Sequence, residues 1–325
     1  MNTENTAQIG ENTNGIVNEI KARKKLSDLF FENLTLIFAL MIILLVGVII
    51  YEMYTDSKLS REMFGFGFIF SSDWNPVKDK FGSLTFVYGT IISSVIALII
   101  SLPISIGVAV YLSELATNVF KTAISFLIEI LAAIPSIVYG FWGIFVLAPF
   151  MRTTVQPFLQ GTLGFIPLFQ GNAVGFGLLT AGIILAIMVT PIITAITRDV
   201  LKAIPSSQRE AAYALGATKW EAIKMALLNA KSGILGATVL GLGRAVGETM
   251  AVTMVIGNKA QIKASLFEPA YSMASVIANE FAEASGALHI SSLIEVGLIL
   301  FGVTFIINSF ARLLIYSFTR KTAGK

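Results

Sequence analysis

Six long apolar runs are the feature that most constrains what this chain can fold into. Each run carries enough apolar residues to cross a hydrocarbon core about 30 Å thick, which takes roughly 20 helical residues. Only 13% of the residues are charged, whereas a soluble domain carries about 25%. The sequence therefore predicts an all-α integral membrane protein with six transmembrane helices. The predicted spans are Leu34–Tyr51, Leu84–Leu112, Thr122–Phe150, Ala173–Thr197, Ser232–Gly257 and Ile290–Tyr316.

The cysteine and histidine content excludes several kinds of chemistry. The 325 residues include no cysteine and one histidine, His289, so thiolate nucleophiles, iron–sulfur clusters and histidine-based metal sites are not expected. The net charge of +3 is dispersed along the chain, and nucleic-acid binding would need a concentrated basic face. We expect neither a metal nor another cofactor.

The basic residues between the apolar runs indicate the orientation in the membrane. With the N-terminus inside, 14 of the 23 Lys and Arg residues would face the cytoplasm and 7 the outside, the other two lying within spans. This asymmetry predicts that both termini are cytoplasmic. The predicted organisation is a polar tail over 1–33, a six-span domain over 34–316 with cytoplasmic helices near 207–228, and a second tail over 317–325. Because residues 1–33 lack the apolar core and cleavage site of a signal peptide, the first span should remain in the mature chain.

The longest cytoplasmic connection, Arg198–Lys231, begins with the signals of a short helix. Pro205 ends the preceding span. Ser207 and Glu210 then fit a capping box, in which each side chain satisfies a free amide of the first turn. Gly216 stands where a left-handed residue would end this helix.

A second short helix is predicted directly after the first. Thr218 and Glu221 fit another capping box, and the helix is expected to run toward Leu228. Two interpretations of the pair of helices stay open. It is either an interfacial hairpin with Tyr213 and Trp220 at the lipid headgroups, or a rigid docking element for a cytoplasmic partner.

Charged residues inside the predicted spans point to function. Arg244 lies near the midplane of the fifth span, where a charge costs about 2.5–3.5 kcal/mol on insertion, and Glu248 follows it at i+4. The two form either a structural ion pair or part of an anion path, since a guanidinium donates two parallel hydrogen bonds to phosphate-type oxyanions. Glu129 precedes Pro135, which can kink the third span. Glu295, near the outer end of the sixth span, is expected to reach water.

The cytoplasmic loop resembles that of permease subunits of ATP-binding-cassette (ABC) importers. Glu210-Ala211-Ala212 followed by Gly216 matches their E-A-A-x-x-x-G motif. In that family the motif forms a coupling helix seated in a cleft of the ATPase. Leu228-Asn229 stands where the family pattern often has Leu-Pro.

Three further segments resemble the phosphate-specific permeases of this family. They are Ala133–Gly140, Gly241–Thr249, and Asp73–Pro76 together with Phe81–Gly82, and the resemblance extends from about Phe30 to Tyr316. It implies the type I ABC importer permease fold and ATP-driven import of inorganic phosphate. The residues expected on the translocation pathway are Arg244, Glu248, Thr249 and Glu129, and those expected to contact the ATPase are Glu210, Ala211, Ala212 and Gly216.

The resemblance also implies partners. They are a homologous permease subunit, a dimer of ATP-binding subunits, an extracytoplasmic phosphate-binding protein and the lipid of a bacterial or archaeal inner membrane. Because no G-x-x-x-x-G-K-[ST] loop is present, ATP hydrolysis belongs to a separate subunit and the chain is not expected to be an enzyme. Two alternatives stay open: a permease for molybdate, sulfate or thiosulfate, and an ATP-independent anion carrier or channel that uses Arg244, Glu248 and Glu129 as a relay.

Overall fold

A computed structural model describes residues 26–323 of the chain, which are predominantly helical. These residues form two units, one ending at Thr55 and the other beginning at Asp56. The helices, in chain order, are α1 Leu26–Asp56, α2 Lys58–Phe64, α3 Gly67–Phe70, α4 Leu84–Val110, α5 Asn118–Ala133, α6 Ser136–Leu163, α7 Leu178–Lys202, α8 Ser206–Ala214, α9 Lys219–Gly247, α10 Met250–Val255, α11 Met273–Glu280 and α12 Ala287–Ala323.

Several π turns interrupt or extend these helices. One, Tyr111–Leu115, continues α4 at its C-terminal end, and two others, Gly143–Leu147 and Met151–Val155, lie inside α6. Within residues 26–323 the only β pairing consists of two isolated bridges, Asn75 with Lys80 and Gly257 with Ala270. The connections also contain two short 3₁₀ helices, Pro76–Lys78 and Pro167–Phe169, and the described chain is all-α.

The predicted number of membrane spans is confirmed. Six helices among residues 26–323 are long and apolar enough to cross a membrane, namely α1, α4, α6, α7, α9 and α12. Helix α1 makes up the described part of the first unit, and most of its side chains from Leu29 onward are exposed. Helix α12 continues to Ala323, through most of the segment predicted as a C-terminal tail. Residues 1–25 of the predicted N-terminal tail and residues 324–325 lie outside the described range.

The predicted position of the third span, Thr122–Phe150, is wrong. Helix α5 ends at Ala133, and Ile134 and Pro135 adopt extended conformations with ψ of 128° and 141°. Proline disfavours the helical region for the residue before it and has no N–H for a helical hydrogen bond. The apolar run is therefore divided, and the third span is Ser136–Leu163.

Helices α4 and α7 form the centre of the second unit. They pack along their length, and the buried core around them includes Ala97, Ile184, Val189 and Val255. Close approach is possible because Gly182 has no side chain, and a methyl group there would overlap the side chain of Ile96. Such small residues permit tight helix packing in membranes.

Two smaller apolar clusters lie at opposite ends of α4. Phe86 belongs to a cluster with Phe68 and Tyr271, whereas Val110 belongs to a cluster with Leu201. The 24-residue separation of Phe86 and Val110 corresponds to about 36 Å along a helix. The connections preceding α4 and α12 are thus far from the loop that contains α8.

The prediction that Glu295 reaches water is wrong. Its residue surface is only 5% exposed, because α2 packs against α12 and covers this face. The Glu295 carboxylate is hydrogen-bonded to Ser60, and Ser292 donates a hydrogen bond of 3.1 Å to the Ser60 hydroxyl. The acid therefore joins α2 to the last span.

Candidate functional site

Helix α8 begins one residue before the predicted capping box. Pro205 occupies the N-cap position with ψ of 137°, and no side chain caps the helix. Ser207 is already inside the first turn. Glu210 therefore lies beyond the first turn, and the backbone N–H of Glu210 is satisfied by a hydrogen bond within the helix. The predicted capping box of Ser207 and Glu210 is therefore wrong, whereas the short helix itself is present.

The C-terminal end of α8 has the predicted left-handed glycine. Gly216 has φ of +83°, and its N–H donates to the Tyr213 carbonyl at 2.9 Å while the Ala217 N–H donates to Ala212 at 3.0 Å. This pair of hydrogen bonds is a Schellman motif. Ala212 is buried, whereas Glu210, Ala211 and Gly216 are exposed, so α8 presents these three residues on its outer surface.

The predicted capping box of Thr218 and Glu221 is confirmed. The Thr218 N–H donates to Glu221 Oε2 at 2.7 Å, and the Glu221 N–H donates to Thr218 Oγ1 at 3.4 Å. The helix that begins here does not stop near Leu228, as predicted, but continues to Gly247 as α9. Asn229 keeps the backbone N–H that a proline would remove, so the cytoplasmic segment and the fifth span form one helix.

The fifth span, Lys219–Gly247, begins and ends earlier in the sequence than the predicted Ser232–Gly257. Helix α9 ends at Gly247, Glu248 is extended with ψ of 126°, and α10 begins at Met250. The Glu248 carboxylate accepts a hydrogen bond of 3.4 Å from the Ala251 N–H, and Thr249 Oγ1 donates to the Gly247 carbonyl at 3.3 Å. These side chains partly satisfy the backbone at the interruption.

Arg244 and Glu248 are not paired in this structure. Within residues 26–323 the Arg244 guanidinium forms no hydrogen bond or ion pair with Glu248 or with any other residue. Arg244 is exposed on the surface of this single chain, and Glu248 and Thr249 are partly buried. The geometry therefore does not support the structural ion pair.

The two helix interruptions, at Pro135 and at Glu248, lie beside each other. A methyl group on Gly140 of α6 would lie 3.3 Å from the Ala251 Cα of α10. Tyr139, which is buried, donates a hydrogen bond of 2.7 Å to the Leu131 carbonyl at the end of α5. The end of α5 is thereby connected to α6, which packs against α10.

Glu129 takes part in this arrangement only indirectly. It precedes Leu131 by two residues, and its side chain is exposed on α5. In the part of the chain that the structure describes, no hydrogen bond or ion pair joins Glu129 to Arg244, Glu248 or Thr249. The structure thus brings three of the four predicted pathway residues to one interruption and leaves the fourth on a neighbouring helix.

The groups at this interruption have the chemistry that an oxyanion requires. Interrupted helices expose backbone polar groups, which at membrane depth are tolerated only inside protein or along a water-filled cavity. An exposed guanidinium beside such an interruption can donate two hydrogen bonds to an oxyanion. Among the described residues no group of His, Asp and Glu could hold a metal ion.

Two polar contacts were missed by the sequence reasoning. Arg209 on α8 forms an ion pair of 2.6 Å with Glu114 at the end of α4. At the opposite end of the unit Glu280 contacts His289 at 3.1 Å and accepts a hydrogen bond of 2.9 Å from Trp74 Nε1. Arg209 and Glu114 are 95 positions apart in the sequence, and Trp74 and Glu280 are 206 positions apart. Only their common side of the membrane could have suggested these pairings.

The Glu280 contacts border a polar cavity. Its volume is about 620 Å³, and its lining includes Asp79, Glu280, Glu283 and His289. It lies at the end of the unit opposite to α8. Three carboxylates make it unsuitable for binding a phosphate-type anion.

The sequence matches a family model described as the inner membrane component of binding-protein-dependent transport systems, over residues 101–320. It is 46% identical over 307 residues to the phosphate transport system permease protein PstC of Mesorhizobium japonicum, covering 93% of this chain and 94% of that protein. The protein of the same name from Haemophilus influenzae is 44% identical over 314 residues, covering 94% and 99% of the two chains.

Solved structures share the fold at low sequence identity. A chain of a bacterial alginate ABC transporter, crystallised with its alginate-bound periplasmic protein, superposes with a TM-score of 0.59 at 15% identity, covering 89% of this chain and 96% of that chain. A chain of the methionine ABC transporter MetNI, in an inward-facing conformation, gives a TM-score of 0.50 at 19% identity and covers 73% and 94%. At these identities the similarity is evidence for the fold alone.

Proposed function

The chain belongs to the family of inner membrane components of binding-protein-dependent transport systems, and we propose on this basis that it is the permease subunit of an ATP-driven importer of inorganic phosphate. Its fold is that of type I ABC importer permeases, and it is a transport component rather than an enzyme. One observation carries the substrate assignment: similarity to permeases named for phosphate extends over almost the whole chain.

Permeases of this family work with a binding protein and an ATPase. We propose more specifically that this chain pairs with a homologous permease subunit, that two copies of an ATP-binding subunit bind on the inside, and that a phosphate-binding protein docks outside. Both termini would be cytoplasmic, in the inner membrane of a bacterium or archaeon. The excess of Lys and Arg in the connections on the α8 side supports this orientation.

Arg244, Glu248 and Thr249 are the proposed centre of the pathway. The Arg244 guanidinium is exposed and unpaired within the described residues, so it is available to an oxyanion passing along this face of α9. Glu248 limits the strength of the contact, because a carboxylate near the path repels a bound anion. Weak binding suits an importer, which has to release its cargo, and high affinity belongs in the external binding protein. Glu129 is a proposed pathway residue of the neighbouring helix α5.

Helix α8 is the proposed contact with the ATPase. Glu210, Ala211 and Gly216 lie on its exposed surface, and the Schellman motif at Gly216 fixes where the helix ends. Ala212 is buried, so it lies on the face of α8 that packs against the rest of the second unit. Closure of the ATPase dimer would displace α8 and shift the spans between inward-open and outward-open states, which ATP and the loaded binding protein favour to different extents.

Uptake of labelled phosphate into proteoliposomes tests this function. The vesicles contain this chain with its permease and ATPase partners, loaded binding protein is added outside, and ATP is present or absent inside. We expect uptake that requires both ATP and binding protein and that excess sulfate or molybdate does not reduce. Competition by either oxyanion would contradict the assignment of phosphate as the specific substrate. Uptake without ATP would instead favour an anion carrier or channel.

A further inference from the structure

Arg209 is enclosed at the inner side of α8. It immediately precedes Glu210, whose side chain is exposed, yet only 20% of the Arg209 side chain is accessible. Its Nη2 lies 2.6 Å from Glu114 Oε1 and also donates to the Leu201 carbonyl at 3.0 Å, and its Nη1 donates to the Ile204 carbonyl at 3.1 Å. One guanidinium thus joins α8 to the ends of both α7 and α4.

The chemistry of this contact favours a fixed geometry. A guanidinium is a planar fork whose donors are held in one plane, so several simultaneous hydrogen bonds define its position closely. The Glu114 side chain is only 11% accessible. An ion pair withdrawn from water loses much of its Coulomb energy to desolvation, so its net contribution to stability is small. A role in fixing one arrangement of the helices is the hypothesis pursued below.

A second hydrogen bond links α8 to α9. The Asn229 side-chain amide donates to Gln208 Oε1 at 2.7 Å, and both side chains are exposed. Helix α9 is the helix that carries Arg244. Contacts through Gln208 and Arg209 therefore connect α8 to both α9 and α4.

Glu114 lies in a segment suited to transmit movement. It belongs to the π turn Tyr111–Leu115, which continues α4 toward the side of α8. Such turns are weaker points in a helix and frequently occur at functional positions. Helix α4 in turn packs along α7 in the centre of the unit, so a displacement applied at Glu114 reaches the core.

We propose that Arg209 is a positioning residue that, through Glu114, makes α4 move together with α8. This inference rests on the proposed function, because it assumes that an ATPase displaces α8. Arg209 itself contacts neither phosphate nor ATP. Without its guanidinium, the ATPase would still bind the exposed surface of α8 and hydrolyse ATP, but less of the movement would reach the spans.

The first test measures phosphate uptake and ATP hydrolysis in the same proteoliposomes, with the complete complex and loaded binding protein. For Arg209→Ala and Glu114→Ala we expect the phosphate taken up per ATP hydrolysed to fall about tenfold, within the usual range of coupling between sites, while the ATPase still copurifies. Arg209→Lys should restore part of this ratio. The exchanged pair Arg209→Glu with Glu114→Arg should recover more than either of its single variants.

Arg198→Ala is a matched control. Arg198 lies at the same end of the unit, but its ion pair of 3.0 Å is with the adjacent residue Asp199 and joins no other helix. In the Arg198→Ala complex, the phosphate taken up per ATP hydrolysed should equal that of the wild type. An unchanged ratio in Arg209→Ala would overturn the proposal, as would a parallel loss of uptake, hydrolysis and ATPase binding, which would indicate a structural role only.

A distance measurement tests the proposal independently of the substrate. The chain has no cysteine, so Tyr111→Cys and Leu215→Cys, at exposed positions of the π turn and of the end of α8, can carry a pair of spin labels. In the assembled complex that contains Arg209, ATP binding should leave the distance between the two labels unchanged. In the complex that carries Arg209→Ala, ATP binding should change this distance or broaden its distribution. A distance that responds to ATP in the presence of Arg209 would overturn the proposal. A complex that hydrolyses ATP but imports no phosphate would overturn only the proposed substrate.

Discussion

The Asn229 side-chain amide donates a 2.7 Å hydrogen bond to Gln208, and Asn229 stands where the E-A-A family pattern described above often has a proline. Asn229 is inside α9, 10 residues after its first residue, Lys219. It combines two properties that proline lacks, a backbone N–H for the helix and a side-chain donor for α8. The uninterrupted course of α9 depends on the first of these properties.

Asn229→Pro should destabilise the protein strongly. Proline inside a helix removes a hydrogen bond and clashes with the preceding turn, at a cost of about 3 kcal/mol or more. Asn229→Ala loses only the exposed contact with Gln208, worth about 0.5–1.5 kcal/mol. Thermal unfolding in detergent should therefore show a large fall in Tm for the proline variant and a small one for alanine. Equal Tm values would show that α9 tolerates a kink at this position.

Arg244→Ala should abolish phosphate uptake and leave membrane insertion intact. Removing a charge from the span makes insertion more favourable, by about 2.5–3.5 kcal/mol on insertion scales, so a loss of uptake would not arise from failed assembly. Arg244→Lys should retain part of the activity, because lysine keeps the charge but not the planar fork. The measurement is ATP-driven uptake at equal amounts of assembled complex.

Arg312→Ala is the control for Arg244. Arg312 is also an exposed arginine of a long helix, α12, which packs against α9, but α12 has no interruption at this position. Its replacement should leave uptake close to that of the wild type. Retained uptake in Arg244→Ala would remove this residue from the pathway.

Gly216→Ala should weaken coupling to the ATPase. Gly216 has φ of +83°, a left-handed conformation that costs a residue with a Cβ about 1–2 kcal/mol. The end of α8 should therefore shift, and both copurification of the ATPase and ATP-driven uptake should fall. Gly302→Ala, at a helical position with no atom within 4 Å of the added methyl group, should change neither. An ATP-independent carrier would tolerate both substitutions equally.

Gly143→Ala should destabilise the contact between α6 and α10. The added Cβ would lie 2.6 Å from Val255 Cγ1 and 3.2 Å from Ile184 Cδ1, and overpacking of a core usually costs about 1–3 kcal/mol. Gly107→Ala provides the comparison, since no atom lies within 4 Å of its added methyl group. Thermal unfolding should show a lower Tm for the first variant alone.

Tyr271 should make stability depend on alkaline pH. It lies between α10 and α11, outside the six spans, and burial raises the pKa of its phenol from 10.0 to about 12. Below about pH 9 the phenol is neutral in both the folded and the unfolded state, so its contribution to stability is complete. As the pH rises from there toward the folded-state pKa of about 12, the unfolded chain loses the proton first, so the stability of the folded state decreases.

Tyr271→Phe isolates this contribution. The difference in Tm between wild type and variant should be constant up to about pH 9 and should then shift in favour of the variant up to about pH 11. Other tyrosines and lysines titrate in both proteins, so they cancel in the difference. A difference that does not change with pH would contradict the raised pKa.

The number of spans and the local helix signals could be predicted from the sequence because they depend on neighbouring residues. The capping box of Thr218 and Glu221 and the left-handed Gly216 are of this kind. Hydropathy alone did not locate the third span, because the apolar run continues across Pro135 and only the proline itself marked the division. The cytoplasmic connection was predicted to extend to Lys231, although α9 already begins at Lys219 and carries these charged residues at its cytoplasmic end.

The candidate site was predictable in its residue types and not in its geometry. Arg244 and Glu248 were noted as charges within a span, but a regular helix was assumed and so an ion pair stayed possible. The interruption after Gly247 depends on the packing of α10 against α6, which no local pattern reports. The pairing of Arg209 with Glu114 likewise follows from how α8 folds back on the bundle.

The continuity of α9 gives small rotations at its cytoplasmic end a large effect inside the membrane. From Lys219 to Arg244 the helix is about 37 Å long at ~1.5 Å per residue. A tilt of about 5° around its base would displace the guanidinium by about 3 Å, which is the length of the hydrogen bond between an arginine and an oxyanion. If Arg244 contacts the cargo as proposed, a helix of this length can make or release that contact by a single change of tilt, with no intermediate rearrangement of side chains.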